Sequence, residues 1–210
     1  MSTPSSAVPR ARRWRLTLPT GPGQTLADAL PGGRVRDIVL TVLFAGFVGL
    51  FAQLAMPLPF TPVPLSGQTF AVLAGGAALG WRRGLNGLLL YVAAGLAGVP
   101  WFAKGEGGLH MLGKASFGYV IGFVVAAMVV GGMAGRGWDR KVKRAIVMFV
   151  AGSLIVYGFG LPWLMATAGL GLVDGVMQGI VPFLLGDAVK ILVAAGLLPA
   201  AWWALRRRHG

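Results

Sequence analysis

The sequence predicts an all-α integral membrane protein, a six-transmembrane-helix bundle with its N- and C-termini on the cytoplasmic side. Three observations carry this reading. Of 210 residues, 56% are hydrophobic and only 12% are charged, against about 25% charged in an ordinary soluble domain. Six apolar stretches approach or reach the roughly 20 residues that a spanning helix needs. The basic residues fall in the links between those stretches, and almost all of them on one side.

Residues 1–36 are rich in Pro, Gly, Ser and Thr and carry six arginines, which reads as a flexible basic tail on the cytoplasmic side. No apolar core follows Arg10–Arg15, so this segment is not expected to be a signal peptide. A membrane domain is expected over 37–205 and a short basic C-terminus over 206–210. The expected spans are 38–56, 66–81, 85–102, 116–135, 145–168 and 181–205. The first carries one polar amide, Gln53. The second is short and rich in Gly and Ala. Pro162 interrupts the fifth span, and Pro182 and Pro199 the sixth; neighbouring helices satisfy the backbone groups that such prolines free.

The charges then orient the chain. Six basic residues lie in the tail (Arg10, Arg12, Arg13, Arg15, Arg34, Arg36) and two between spans 2 and 3 (Arg82, Arg83). Five follow span 4 (Arg136, Arg140, Lys141, Lys143, Arg144) and three end the chain (Arg206, Arg207, Arg208). The opposite side holds only Lys104 and Lys114. Sixteen against two is a positive-inside pattern for an even number of spans. The net charge of +13 therefore reports membrane topology, and no nucleic-acid partner is expected. The chain has no cysteine and only two histidines, far apart, without an HExxH pattern. This excludes thiol chemistry and a zinc hydrolase, and no metal site is expected.

The residues suited to recognition lie in span 6. Asp187 and Lys190 are three apart and share one helix face. Lys190 is roughly 14 Å from the outer end at Val181, counting 1.5 Å per residue. A charged group at that depth needs a partner or a function. The pair suits a polar pocket in which Asp187 accepts and Lys190 donates hydrogen bonds, or else a salt bridge that only locks the helix. The proline-rich segment Met56–Pro64 cannot be helical, and Trp101–Gly108 pairs aromatic bulk with glycine. The two are expected to form a lid over a pocket, or ordinary interfacial loops. Small-residue pairs at Ala45/Gly49 and Gly118/Gly122 fit close packing, or, on the first helix, docking of another membrane protein.

Two motifs are near misses. Gly108–Ala115 fits GxxxxGK, but Ala115 replaces the Ser or Thr that would reach magnesium, and the segment follows a membrane helix. Leu184-Leu185-Gly186-Asp187 lacks the first glycine of the GxGD of intramembrane aspartyl proteases, and no second membrane aspartate accompanies it. No catalytic residue is expected.

Several segments, taken together, resemble the BioY family. Pro62-Val63-Pro64-Leu65-Ser66-Gly67-Gln68-Thr69 resembles its Pro-Val-Pro-x-x-x-Gln-Thr stretch. Tyr91 to Ala103 resembles Tyr-(x)3-Gly-(x)2-Gly-x-Pro-x-Phe-Ala. Gly118-Tyr119-(x)2-Gly122-Phe123, Tyr157-(x)2-Gly160-(x)2-Trp163-Leu164 and Pro182-Phe183-(x)2-Gly186-Asp187-(x)2-Lys190 follow in order. Gly113 to Tyr119 is one residue longer than the family's usual Gly-Pro-Thr-Gly-Gly-Tyr and adds the cation Lys114.

The resemblance implies the high-affinity biotin-binding S component of an energy-coupling factor (ECF) transporter in the bacterial cytoplasmic membrane. Its partners would be biotin, the lipid bilayer, a transmembrane coupling protein and two cytosolic ATPases; no cofactor is implied. Carried over to this chain, the ligand contacts are Asp187 and Lys190, with Phe102, Gly107, Gly108, Lys114 and Tyr119 lining the pocket by position. Ala45 and Gly49 match the helix face by which S components dock the coupling protein. Two alternatives stay open: an S component for another vitamin, and a stand-alone proton-coupled secondary transporter using Asp187.

Overall fold

The computed structural model describes residues 23–207; Arg10 to Arg15 and Arg208 lie outside them. Residues 23–33, expected within the flexible tail, pack on the bundle instead. Thr25 is buried and its N–H and hydroxyl both donate to Asp28, which begins a short 3-10 turn over Leu26–Ala29. Gly23 N–H donates to the Gly135 carbonyl at 3.0 Å. Asp28 and Asp37 share Arg36 and Arg83 in one ion-pair network. Burial opposes ionisation of Asp28, but the Thr25 N–H and the Arg83 guanidinium outweigh it and hold the carboxyl below its ordinary range.

Helix α1 (Arg34–Gln53) buries Phe44, Ala45, Val48, Gly49 and Ala52 at helical spacing and leaves Ile38, Val42, Leu43, Phe47 and Leu50 exposed. The proline segment is extended, as its composition requires, and it also pairs with itself. Strands β1 (Ala55–Leu58) and β2 (Thr61–Ser66) form an antiparallel hairpin, with an irregularity between Met56 and Leu58. Pro57 sits there and has no N–H to donate to a ladder.

Helix α2 (Gln68–Leu79) is buried along nearly its whole length, which explains why it is apolar all round. Gly80, at φ +84, alone separates it from α3 (Trp81–Leu96). Helix α3 ends before the expected boundary at 102. Gly98 takes φ +110 and Pro100 cannot continue a helix, so Trp101 and Phe102 turn back onto the bundle. After a long loop come α4 (Phe117–Gly135), α5 (Val142–Ala168) and α7 (Val181–Arg207). Between the last two lies a short helix not expected from the sequence, α6 (Leu172–Gly179), which contains Asp174. Pro182 occupies the first turn of α7, where its missing N–H has no partner to lose.

Helix α4 is the hub and packs on α2, α3 and α5. Among the described residues, four helical stretches are long and apolar enough to cross a membrane: Arg34–Gln53, Phe117–Gly135, Val142–Ala168 and Leu172–Arg207. α2 and α3 are shorter, with 12 and 16 residues. The molecule is thus a mostly helical, multi-pass membrane protein.

Its two ends differ in charge. Gly23 meets Gly135, Arg83 meets Asp28, and Trp202 donates to Asp139. These contacts gather the N-terminal segment, the α2–α3 turn, the α4–α5 link and the end of α7, with their basic residues, at one end. Lys104 and Lys114 belong to the loop between α3 and α4, which Gln53 anchors through the carbonyls of Trp101 and Phe102.

Candidate binding cavity

Helix α7 brings Asp187 and Lys190 to one face, one turn apart. Lys190 Nζ lies 2.9 Å from Asp187 Oδ1. From α5, Tyr157 donates its hydroxyl to Asp187 Oδ2 at 2.6 Å. Both carboxylate oxygens are therefore engaged, by donors on two different helices. Asp187 is 6% exposed, so these partners are what offset the cost of burying a charge.

The three groups line a cavity that β2, α2, α3, α4, α5 and α7 enclose. Its walls are largely apolar: Val63, Leu65, Phe102, Met111, Val120, Phe123, Val156 and Phe183. Gln68, Thr69 and Ser116 add polarity. Gln68 is buried and donates to the Tyr91 hydroxyl at 2.9 Å, which continues to the Trp101 carbonyl at 3.3 Å. A few convergent polar groups in an apolar concavity are the general form of a small-molecule site. Among the described residues, no group of three His, Cys, Asp or Glu is placed to hold a metal ion.

Two glycines make room for the aromatic walls. A Cβ on Gly95 would lie 2.3 Å from the Phe102 ring, and one on Gly160 would lie 2.4 Å from the Tyr119 ring. Phe102 packs edge-on to Tyr91 and to Phe117, while Tyr119 donates to the Gly179 carbonyl at 2.7 Å.

Of the residues singled out in the sequence, Asp187, Lys190, Phe102 and Tyr119 all line this one cavity. Lys114 lines a neighbouring cavity and pairs with Glu106 at 3.3 Å. Gly107 and Gly108 shape the loop and are not on the wall. A Cβ on Gly107 would lie 2.5 Å from the Val99 carbonyl oxygen, and Gly108 adopts φ +103 with its N–H bonded to the Gly95 carbonyl. Ala45 and Gly49, expected as a docking face, lie against this chain's own residues: Ala45 has no exposed surface, and a Cβ on Gly49 would touch Trp101 at 3.3 Å.

Tyr157, Gln68 and Tyr91 also line the cavity, beyond the site residues expected from the sequence. A signal was present, because each sets a hydrogen-bonding group in an apolar stretch, and all three tyrosines of the chain line the cavity.

Residues 23–207 match the sequence profile of the BioY family. The biotin transporter BioY of Rhizobium etli is 32% identical over 168 residues, covering 76% of this chain and 89% of that protein. The probable biotin transporter BioY of Pyrococcus horikoshii is 32% identical over 162 residues, covering 77% and 93%. A crystal structure of the S component for biotin from an ECF-type ABC transporter superposes with a TM-score of 0.70 at 21% identity, covering 84% of this chain and 93% of that one. The two share a fold.

Proposed function

The chain belongs to the BioY family, and we propose that it is the biotin-capturing S component of an ECF transporter in the bacterial cytoplasmic membrane. The observation that carries this is the contact of Tyr157, Asp187 and Lys190 in an otherwise apolar cavity. A ureido group has two N–H donors and one carbonyl acceptor. Asp187 accepts from one N–H, Lys190 donates to the carbonyl, and Tyr157 keeps the second carboxylate oxygen satisfied. The fused rings lie against Phe102, Tyr119, Phe123 and Phe183. The ligand carboxylate reaches toward Lys114 at the mouth, where a cation offsets its charge.

All six helices α1–α5 and α7 take part in crossing the membrane, with the basic end of the bundle and both termini in the cytosol. The positive-inside asymmetry supports that orientation. Biotin then enters from outside, beneath the β1–β2 hairpin and the α3–α4 loop. Energy comes from a transmembrane coupling protein and two cytosolic ATPases docked to this chain. The GxxxxGK-like segment in this chain forms a 3-10 turn over Leu109–Gly113 that follows a loop and not a strand, so it lacks the setting of a nucleotide-binding loop.

Calorimetric titration of the detergent-solubilised protein tests the reading, with riboflavin and thiamine as controls and Asp187→Asn in parallel. Tight biotin binding that the variant loses is expected. A folded sample that ignores biotin overturns the assignment, and binding of a control vitamin instead identifies an S component of other specificity.

A further inference from the structure

Next to the cavity of Asp187 lies a second, outer one whose lining includes Pro62, Lys104, Glu106 and Lys114. Pro64, Ala103, Met111 and Ser116 line both, so the two are neighbouring compartments that share a wall. Their chemistry differs. The inner compartment is apolar around one polar cluster; the outer one holds two ammonium groups and a carboxylate.

The loop that carries these charges is built to present them. Phe102 N–H donates to the Glu106 carbonyl and Gly105 N–H to the Phe102 carbonyl, closing a tight loop over 102–106. At its tip Lys104 adopts φ +67, the only positive φ on a non-glycine among the described residues. That conformation costs free energy and persists where the surroundings enforce it. The Lys114–Glu106 pair is 47% and 33% exposed in its side chains, so it exchanges readily with water or with a ligand's charges.

A monoanionic ligand does not account for Glu106. A carboxylate beside a carboxylate site weakens it, and a subsite for the acid of biotin alone needs only the cations. Cations and an anion together complement a group that bears both charges, an α-ammonium next to an α-carboxylate. We propose that the outer cavity is a subsite for such an amino-acid head, so that the protein takes up biotin amide-linked to the side-chain amine of lysine as well as free biotin. The amide replaces the carboxylate of biotin, and the lysine head supplies a new carboxylate for Lys114 or Lys104 and an ammonium for Glu106. This rests on the biotin reading of the inner cavity.

The test compares three ligands by calorimetry on the full chain and on Glu106→Gln: biotin, Nε-biotinyl-lysine, and biotinamidohexanoate, which has the carboxylate but no ammonium. In the native chain Nε-biotinyl-lysine is expected to bind within about tenfold of biotin and at least about fivefold tighter than the hexanoate. In Glu106→Gln that preference disappears, while biotin is held no more weakly, because the substitution removes a charge that repels its carboxylate. Rejection of Nε-biotinyl-lysine by a protein that binds biotin overturns the proposal. So does an equal loss for all three ligands in Glu106→Gln, which marks Glu106 as a loop brace. Failure of native protein to bind biotin is a separate result that removes the biotin reading and this one with it.

Discussion

Tyr157 and Asp187 meet at 2.6 Å across the α5–α7 boundary, and this contact completes the coordination of a carboxylate that Lys190 alone leaves half satisfied. Its consequence is orientational. With one oxygen held from α5 and the other from α7, the carboxylate is fixed in one orientation on the cavity wall. Tyr157→Phe keeps the ring and removes one bond to a charged group, a loss of about 1.5–3 kcal/mol at most. Biotin affinity should fall about tenfold, and the melting temperature should fall with it, because the buried carboxylate loses a donor. Unaltered affinity by calorimetry would reduce Tyr157 to packing.

Stability and binding separate at the Asp187–Lys190 pair. Lys190→Gln leaves a buried anion without its counter-charge in an apolar wall, which is destabilising. Adding Asp187→Asn removes that anion. The double variant should therefore melt higher than Lys190→Gln alone, yet bind no biotin. Thermal unfolding and calorimetry on the same samples read both; a double variant less stable than the single one contradicts the account.

Asp139, at the basic end, offers a pH test outside the cavity. It is fully buried, and burial pushes its carboxyl above the ordinary range despite the hydrogen bond from Trp202. The folded state therefore binds the proton more tightly than the unfolded state, so this group favours folding progressively as pH falls through the raised value toward the ordinary carboxylate range. At neutral pH the buried charge is a cost. Asp139→Asn keeps an acceptor for Trp202 and should be at least as stable as the native chain at pH 7, with the difference shrinking in acid. Asp139→Leu strands the indole N–H and should lose about 1–2 kcal/mol. Melting curves across pH check both.

Gly95→Ala should cost both stability and ligand. Its Cβ would fall 2.3 Å from the Phe102 ring, and relieving that overlap displaces a cavity wall at about 1–3 kcal/mol. Gly46→Ala is the control, since a Cβ there meets nothing within 4 Å. Equal effects from the two substitutions would show that helix propensity, not the fit of Phe102, governs this site.

Much of the architecture is legible in the residue order. The proline run must be extended, because alternate prolines deny a helix its donors. Asp187 and Lys190 must share a face, because their spacing alone sets it. The separation of the basic links from Lys104 and Lys114 needs only their alternation along the chain. These properties are local, and the sequence by itself determined them.

Other properties depend on how helices are rotated against one another, which no single stretch encodes. Ala45 and Gly49 form a small-residue face in sequence, but packing turned that face inward onto Trp101. Residues 23–33 look like a polar tail, yet Asp28 finds a partner across the bundle in Arg83, and Gly23 in the end of α4. The pairing of Tyr157 with Asp187 spans 30 positions, and the division of the site into an apolar and a charged compartment depends on a loop that folds back over β2. Only the tertiary structure decided these, because a contact between distant segments is set by the packing of whole helices, whereas periodicity reports just the face each helix buries.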